Sequence, residues 1–216
     1  MRWFLDHTDQ IWQLTGQHAV LAVLPLLIGL VIALPLGGLA RARRSLYSPV
    51  VVTAGLLYTI PSLALFILMP LVLGTGILDP ANVVAALSVY TVALLVRTVA
   101  DALATVPADV TSAARAMGIG RLRRFLTVDL PLATPAISAG VRVAAVSNVS
   151  IVSVAALIGV PQLGSLFTDG FNRSFVTEIV VGILACVLLA VLLDAVIVVL
   201  TRLVTPWQRT RPGCAS

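Results

Sequence analysis

The sequence predicts an all-α integral membrane protein of about five transmembrane helices, with a short cytoplasmic helical segment between the third and fourth. Three observations carry this. Of 216 residues, 59% are hydrophobic and 11% charged, and the mean hydropathy is +1.07, a balance that ordinary soluble domains do not have. The apolar residues gather in runs of about 20 or more, enough to cross a hydrocarbon core of about 30 Å at 1.5 Å per residue. The arginines collect at the ends of those runs, where they set topology.

The same composition excludes several functions. The formal net charge of +5 could suggest nucleic acid, but the arginines flank apolar spans and are not interleaved with stacking aromatics. No lysine occurs, so the chain cannot contain a G-x-x-x-x-G-K-[ST] phosphate loop, and any ATP hydrolysis belongs to another polypeptide. An intramembrane enzyme would need a nucleophile with a base, or a ligand cluster, and no such constellation of His, Cys or acidic residues occurs in the spans. His7 and His18 have no metal-ligand neighbours at suitable spacing, which predicts solvated or interfacial roles and no metal or other cofactor in this chain. Cys186 and Cys214 fall in the last span and the tail, too far apart to bridge.

In chain order, residues 1–17 are polar but carry Trp3, Phe4, Ile11, Trp12 and Leu14, the pattern of a short interfacial helix. The apolar stretch after it is too long for the core of a signal peptide, so this segment is expected to stay attached. The membrane domain then covers 18–205, and 206–216 form a cytoplasmic tail. The first span, from about His18 to Ala40, places Gly29, Ala33 and Gly37 in one stripe where a second helix can approach closely. Arg41, Arg43 and Arg44 hold its end in the cytoplasm and put the N-terminus outside.

The second span, about Pro49 to Leu73, contains Pro61, which removes a backbone donor and predicts a kink facing protein or a water-filled cavity. Gly74 to Pro80 is a short outer loop, and the third span follows, about Ala81 to Ala100, with Arg97 able to reach the interface. The fourth, about Pro135 to Val160, carries Ser147, Asn148, Ser150 and Ser153. Polar groups at membrane depth must pair or meet water. Asn148 and Ser147 are therefore candidates to line a path, with interhelical hydrogen bonding as the alternative. Arg142 is near enough to the cytoplasmic side to reach water. Pro161 to Thr177 reads as the longest outer loop. The fifth span, Glu178 to Val204, holds Asp194, for which functional and packing roles both stand open. Arg202, Arg209 and Arg211 place the C-terminus inside.

Between the third and fourth spans lies the long charged interruption 101–134. Pro107 and Asp109 suit the start of a short helix and Gly118 its end. A second helix, with Leu122, Phe125 and Leu126 on one side, is expected to stop at Pro131. The run Ser112-Ala113-Ala114, Gly118 and Val128-Asp129-Leu130-Pro131 resembles the cytoplasmic EAA loop of ABC importer permeases, with Ser112 where that family usually has Glu and Val128 where it usually has Ile. The resemblance covers about His18 to Arg173. It implies the type I, binding-protein-dependent transmembrane fold. It also assigns ATPase coupling to Ser112, Ala113, Ala114, Arg115, Gly118, Leu130 and Pro131.

Within the second span, Tyr58-Thr59-Ile60-Pro61-Ser62-Leu63-Ala64-Leu65 resembles a motif of the osmoprotectant branch, whose permeases import glycine betaine, carnitine, choline or proline. That likeness adds Tyr58, Pro61 and Ser62 to Ser147 and Asn148 as substrate-pathway candidates, with an amino acid or an oxyanion as the other solutes open. The implied partners are ABC ATPase subunits carrying ATP and Mg, an extracytoplasmic substrate-binding protein, and a second copy or a related permease. The solute is a small molecule, membrane lipid surrounds the spans, and the location is the cytoplasmic membrane.

Overall fold

The computed structural model describes residues 6–207, which are helical almost throughout. In chain order the helices are α1 (Thr8–Ala42), α2 (Arg44–Thr59), α3 (Ser62–Leu73), α4 (Pro80–Ala104), α5 (Ala108–Ala116), α6 (Arg121–Arg124), α7 (Leu130–Val154), α8 (Ser165–Asn172) and α9 (Val176–Val204). A π-helical turn, Phe125–Asp129, joins α6 to α7, and a 3₁₀ turn, Ala155–Ile158, follows α7. Among the described residues α1, α4, the run Arg121–Ile158 and α9 are each long and apolar enough to cross a membrane. The α2–α3 pair, bent by 101°, supplies a fifth crossing if its halves act as one span.

α4 sits at the centre and packs against α1, α2, α3 and α7. Its most apolar stretch is 61% buried and that of α9 only 6%, so α4 forms the core and α9 the rim. The α1–α4 contact depends on missing side chains. A Cβ on Gly29 would stand 2.4 Å from Cγ2 of Thr91, and one on Gly37 would stand 2.7 Å from Cβ of Val99 and 2.9 Å from the Val96 carbonyl oxygen. Ala33, between them, is fully buried. Gly140 brings α7 onto α4 in the same way, since a Cβ there would meet Cγ2 of Thr98 at 2.2 Å. The small-residue stripe is thus a packing seam, as such stripes are between membrane helices.

Four elements differ from the sequence expectation. The interfacial N-terminal helix is not separate: α1 runs unbroken from Thr8, because Ile11 and Leu14 are buried in the same apolar cluster as Leu21 and Val152. Trp3 and Phe4 lie outside the described residues. The second span is broken and not merely kinked. Ile60 and Pro61 are extended, with ψ of 132° and 131°, because proline's Cδ disfavours helical geometry in the residue before it.

Pro131 does not end a helix. The chain continues through it, since the wider turn before it lets Leu130 N–H reach back to the Phe125 carbonyl and relieves the clash a proline makes in an α-helix. The segment after Pro161, expected as the longest outer loop, is not an open loop either. It contains α8, and Gln162, Leu163 and Leu166 are fully buried. Cys186 is a free thiol, while Cys214, Arg209 and Arg211 lie outside the described residues.

The α1–α4 seam generates a sign-reversing test. Gly37→Ala gains helix propensity of about 1 kcal/mol but overpacks a contact made by backbone and a branched side chain, a penalty of about 1–3 kcal/mol. Gly16→Ala, with nothing within 4 Å of its new methyl group, gains the propensity alone. Thermal unfolding in detergent is expected to show a lower midpoint for Gly37→Ala and an equal or higher one for Gly16→Ala.

Candidate functional site

The short helix α5 sits between two spans and is held at both ends by local chemistry. Asp109 lies in its first turn, where the helix dipole favours negative charge. At its end Gly118 takes φ +75°, and its N–H bonds the Arg115 carbonyl at 2.9 Å while Ile119 N–H bonds the Ala114 carbonyl at 3.1 Å. These are the paired bonds of a Schellman cap. Ala114 is buried, whereas Ser112, Ala113, Arg115 and Gly118 are exposed and present one small-residue surface with a cation on it. Leu130 and Pro131 are half-buried at the start of α7. Of the nearby arginines, Arg124 is spent internally on Asp129 at 3.1 Å, while Arg121 and Arg123 are exposed. Phe125 packs inward on Gly38, so Leu122 and Leu126 do not share its face and stay exposed.

The break between α2 and α3 gathers the residues of the Tyr58 segment. Ile60 N–H returns to the Leu57 carbonyl, and the Tyr90 hydroxyl of α4 donates to the Ile60 carbonyl that the break leaves open. Tyr58 stands edge-on to Tyr90, ring centres 5.7 Å apart and planes at 88°. Tyr58 and Pro61 are exposed and Ser62 is half-buried.

Asn148 does not share that surface. It is 2% exposed, and its Nδ2 donates to the Ala22 carbonyl and to Thr91 Oγ1, both at 3.1 Å. Its amide therefore ties α7 to α1 and α4. Of the two roles open to Asn148, path lining and interhelical hydrogen bonding, the geometry displays the second, since an amide away from water needs protein partners. Ser147, one residue away, is half-buried and lines a recess with Arg142 and Asp194.

Two arrangements escaped the sequence reading. His18, expected at the interface, is fully buried, its ring nitrogens 3.0 Å from Gln162 Oε1 and 2.9 Å from the Val149 carbonyl oxygen. Gln162 in turn accepts from Gly164 N–H and donates to the Ser153 carbonyl, so the histidine anchors the segment before α8. Arg142 and Asp194 form a two-pronged ion pair between α7 and α9. The signal for that pair was available: an acid within a span calls for a counterion, and Arg142 lies at comparable depth.

A membrane-crossing helical core thus carries a capped, exposed helix between two of its spans. The chain belongs to the binding-protein-dependent transport system inner membrane component family, whose pattern matches residues 19–210. It is 36% identical to the osmoprotectant import permease protein OsmW of Salmonella typhimurium, over 95% of this chain and 97% of that one. It is 28% identical to the glycine betaine/carnitine/choline transport system permease protein OpuCD of Bacillus subtilis, over 90% of this chain and 84% of that one. The MetNI methionine ABC transporter, solved in inward-facing conformations, superposes with a TM-score of 0.81 at 21% identity, covering 93% of this chain and 98% of the matched one. The fold is that of a type I ABC importer transmembrane subunit.

Asn148→Leu is expected to lower the thermal midpoint of the purified protein, since it removes hydrogen bonds worth about 0.6 kcal/mol each on average, and up to about 1.7. Unchanged stability combined with lost transport would return Asn148 to the path.

Proposed function

We propose that this chain is the permease subunit of an ATP-driven importer for a small osmoprotectant solute bearing a quaternary ammonium group. The observation that carries the reading is the 36% identity to the Salmonella osmoprotectant import permease along nearly the full length of both chains. Glycine betaine, carnitine and choline, in the name of the Bacillus relative, share the trimethylammonium group. Proline, another amino acid or an oxyanion is the competing solute class.

In this reading an external binding protein delivers the solute, and a second copy or a related permease completes the pathway. Separate ATPase subunits receive the exposed face of α5, with Ser112, Ala113 and Arg115 toward the partner. The N-terminus lies outside and the C-terminus in the cytoplasm. ATP-driven closure of the ATPases shifts α5 and, through the π-helical turn and Pro131, tilts α7. A device that switches access between two sides needs this kind of rigid connection.

Uptake of labelled glycine betaine into vesicles holding the assembled importer is expected to require internal ATP and the binding protein together. Uptake of proline or an oxyanion in its place would overturn the solute class, and uptake by the permease alone would overturn the mechanism. Coupling has its own test. Gly118→Val places a branched side chain at φ +75°, a strain of about 1 kcal/mol or more that falls on the cap and not on the spans. Solute-stimulated ATP hydrolysis and uptake are expected to fall together while the amount of permease in the membrane is unchanged. Normal transport by Gly118→Val would remove the coupling role from α5.

A further inference from the structure

Arg142 and Asp194 meet with Nε to Oδ1 at 2.6 Å and Nη2 to Oδ2 at 2.9 Å. Neither is enclosed: the side chains are 44% and 30% exposed. They open on a recess of about 430 Å³ whose other walls are Ala139, Val143, Val146 and Ser147. By helix rise, Arg142 lies about 18 Å into α7 from Leu130 and Asp194 about 15 Å before the end of α9 at Val204. A half-open charged pair at such depth is costly against hydrocarbon, so this face meets water or protein. The recess is shallow and wide open, so a small molecule held there would rest on the ion pair and stay partly exposed.

The chemistry of the recess selects the molecule. A guanidinium has two edges that can hold a carboxylate, and Asp194 occupies the edge formed by Nε and Nη2. Among the described residues Nη1 makes no hydrogen bond, which leaves the second edge available without breaking the ion pair. The Asp194 carboxylate keeps lone pairs and charge facing the same space. Val143, Val146 and Ala139 supply apolar wall for groups that cannot donate a hydrogen bond.

We propose that this recess is a transit site for a zwitterion that carries a carboxylate and a quaternary ammonium, the carboxylate on the free edge of Arg142 and the ammonium beside Asp194. The assignment rests on the import reading given above and deepens it. A neutral ion pair accepts a neutral zwitterion and leaves no unpaired charge at depth, whereas a simple cation such as choline lacks the group that Arg142 would hold. A zwitterionic lipid headgroup offers the same pair of charges, so the test must separate solute from lipid.

The test uses the complete importer, with ATPase subunits and binding protein, in phosphatidylglycerol vesicles, with Cys186 and Cys214 replaced by Ala and Ser147→Cys as a reporter. Glycine betaine under turnover is expected to slow maleimide alkylation of the reporter several-fold, choline is not, and adding Arg142→Lys is expected to abolish the protection in a complex that still assembles. Val143→Cys serves as reporter if Ser147→Cys does not assemble. The exchanged pair Arg142→Asp with Asp194→Arg keeps an ion pair between α7 and α9. It is expected to restore assembly relative to either single change but to lose uptake by about tenfold or more, because charge order in the site is reversed. Wild-type uptake by the exchanged pair would make the contact structural and overturn the proposal. So would protection that appears with phosphatidylcholine vesicles and no solute, which would assign the recess to lipid. If the wild-type importer takes up no glycine betaine, the import reading itself fails; if it takes up glycine betaine without protecting the reporter, only the transit site fails.

Discussion

Close approach of α1 to α4 is the constraint on which the other contacts depend. Helices in a bilayer gain nothing from hiding apolar surface, since lipid is as apolar as they are, so they associate through shape and hydrogen bonds. Gly29 and Gly37 let the two backbones meet where any side chain would collide with Thr91 or Val99. Only at that distance can Asn148 reach both the Ala22 carbonyl on α1 and the Thr91 hydroxyl on α4 from its place on α7. The glycine seam and the amide bridge thus specify one three-helix unit, and α2, α3 and α9 are placed around it.

Where the ladder of backbone hydrogen bonds is interrupted, side chains or altered turns repair it. The Tyr90 hydroxyl meets the open Ile60 carbonyl at the broken span, and Pro131 is preceded by a wider turn. Gln162 collects His18, Gly164 and Ser153 in the segment before α8. In water such groups could be left to solvent. In a membrane each orphan would cost several kcal/mol, and at these three places the irregular backbone lies beside a partner.

Much of this was legible beforehand. Runs of apolar residues and flanking arginines located the spans, and the positions of Pro107, Asp109 and Gly118 located α5, because those signals are local. The glycine stripe announced a close contact without saying with which helix. Pairings between distant residues are only partly legible: the depths of Arg142 and Asp194 are compatible with an ion pair without specifying it, and no local signal carries His18 into the core, where it lies. A single sequence displays depth and residue type but not which faces of two helices turn toward each other. Pro131 marks the limit of a local signal, since a proline's missing donor ends a helix only if the turn before it cannot widen.

In the import reading proposed above, the three-helix unit is the part that transmits motion. If α5 receives a push from an ATPase, a seam closed by backbone contact passes the motion on by moving α1 and α4 as one body, and the Asn148 amide carries α7 with them. The direct measurement is a distance between spin labels at Gln13 on α1 and Ala104 on α4, near opposite ends of the unit, by double electron–electron resonance in the assembled importer. The same narrow distance distribution with and without ATP, in a complex that transports, is the result this arrangement predicts. A distribution that shifts or splits on adding ATP would show that the seam opens during the cycle and would contradict it.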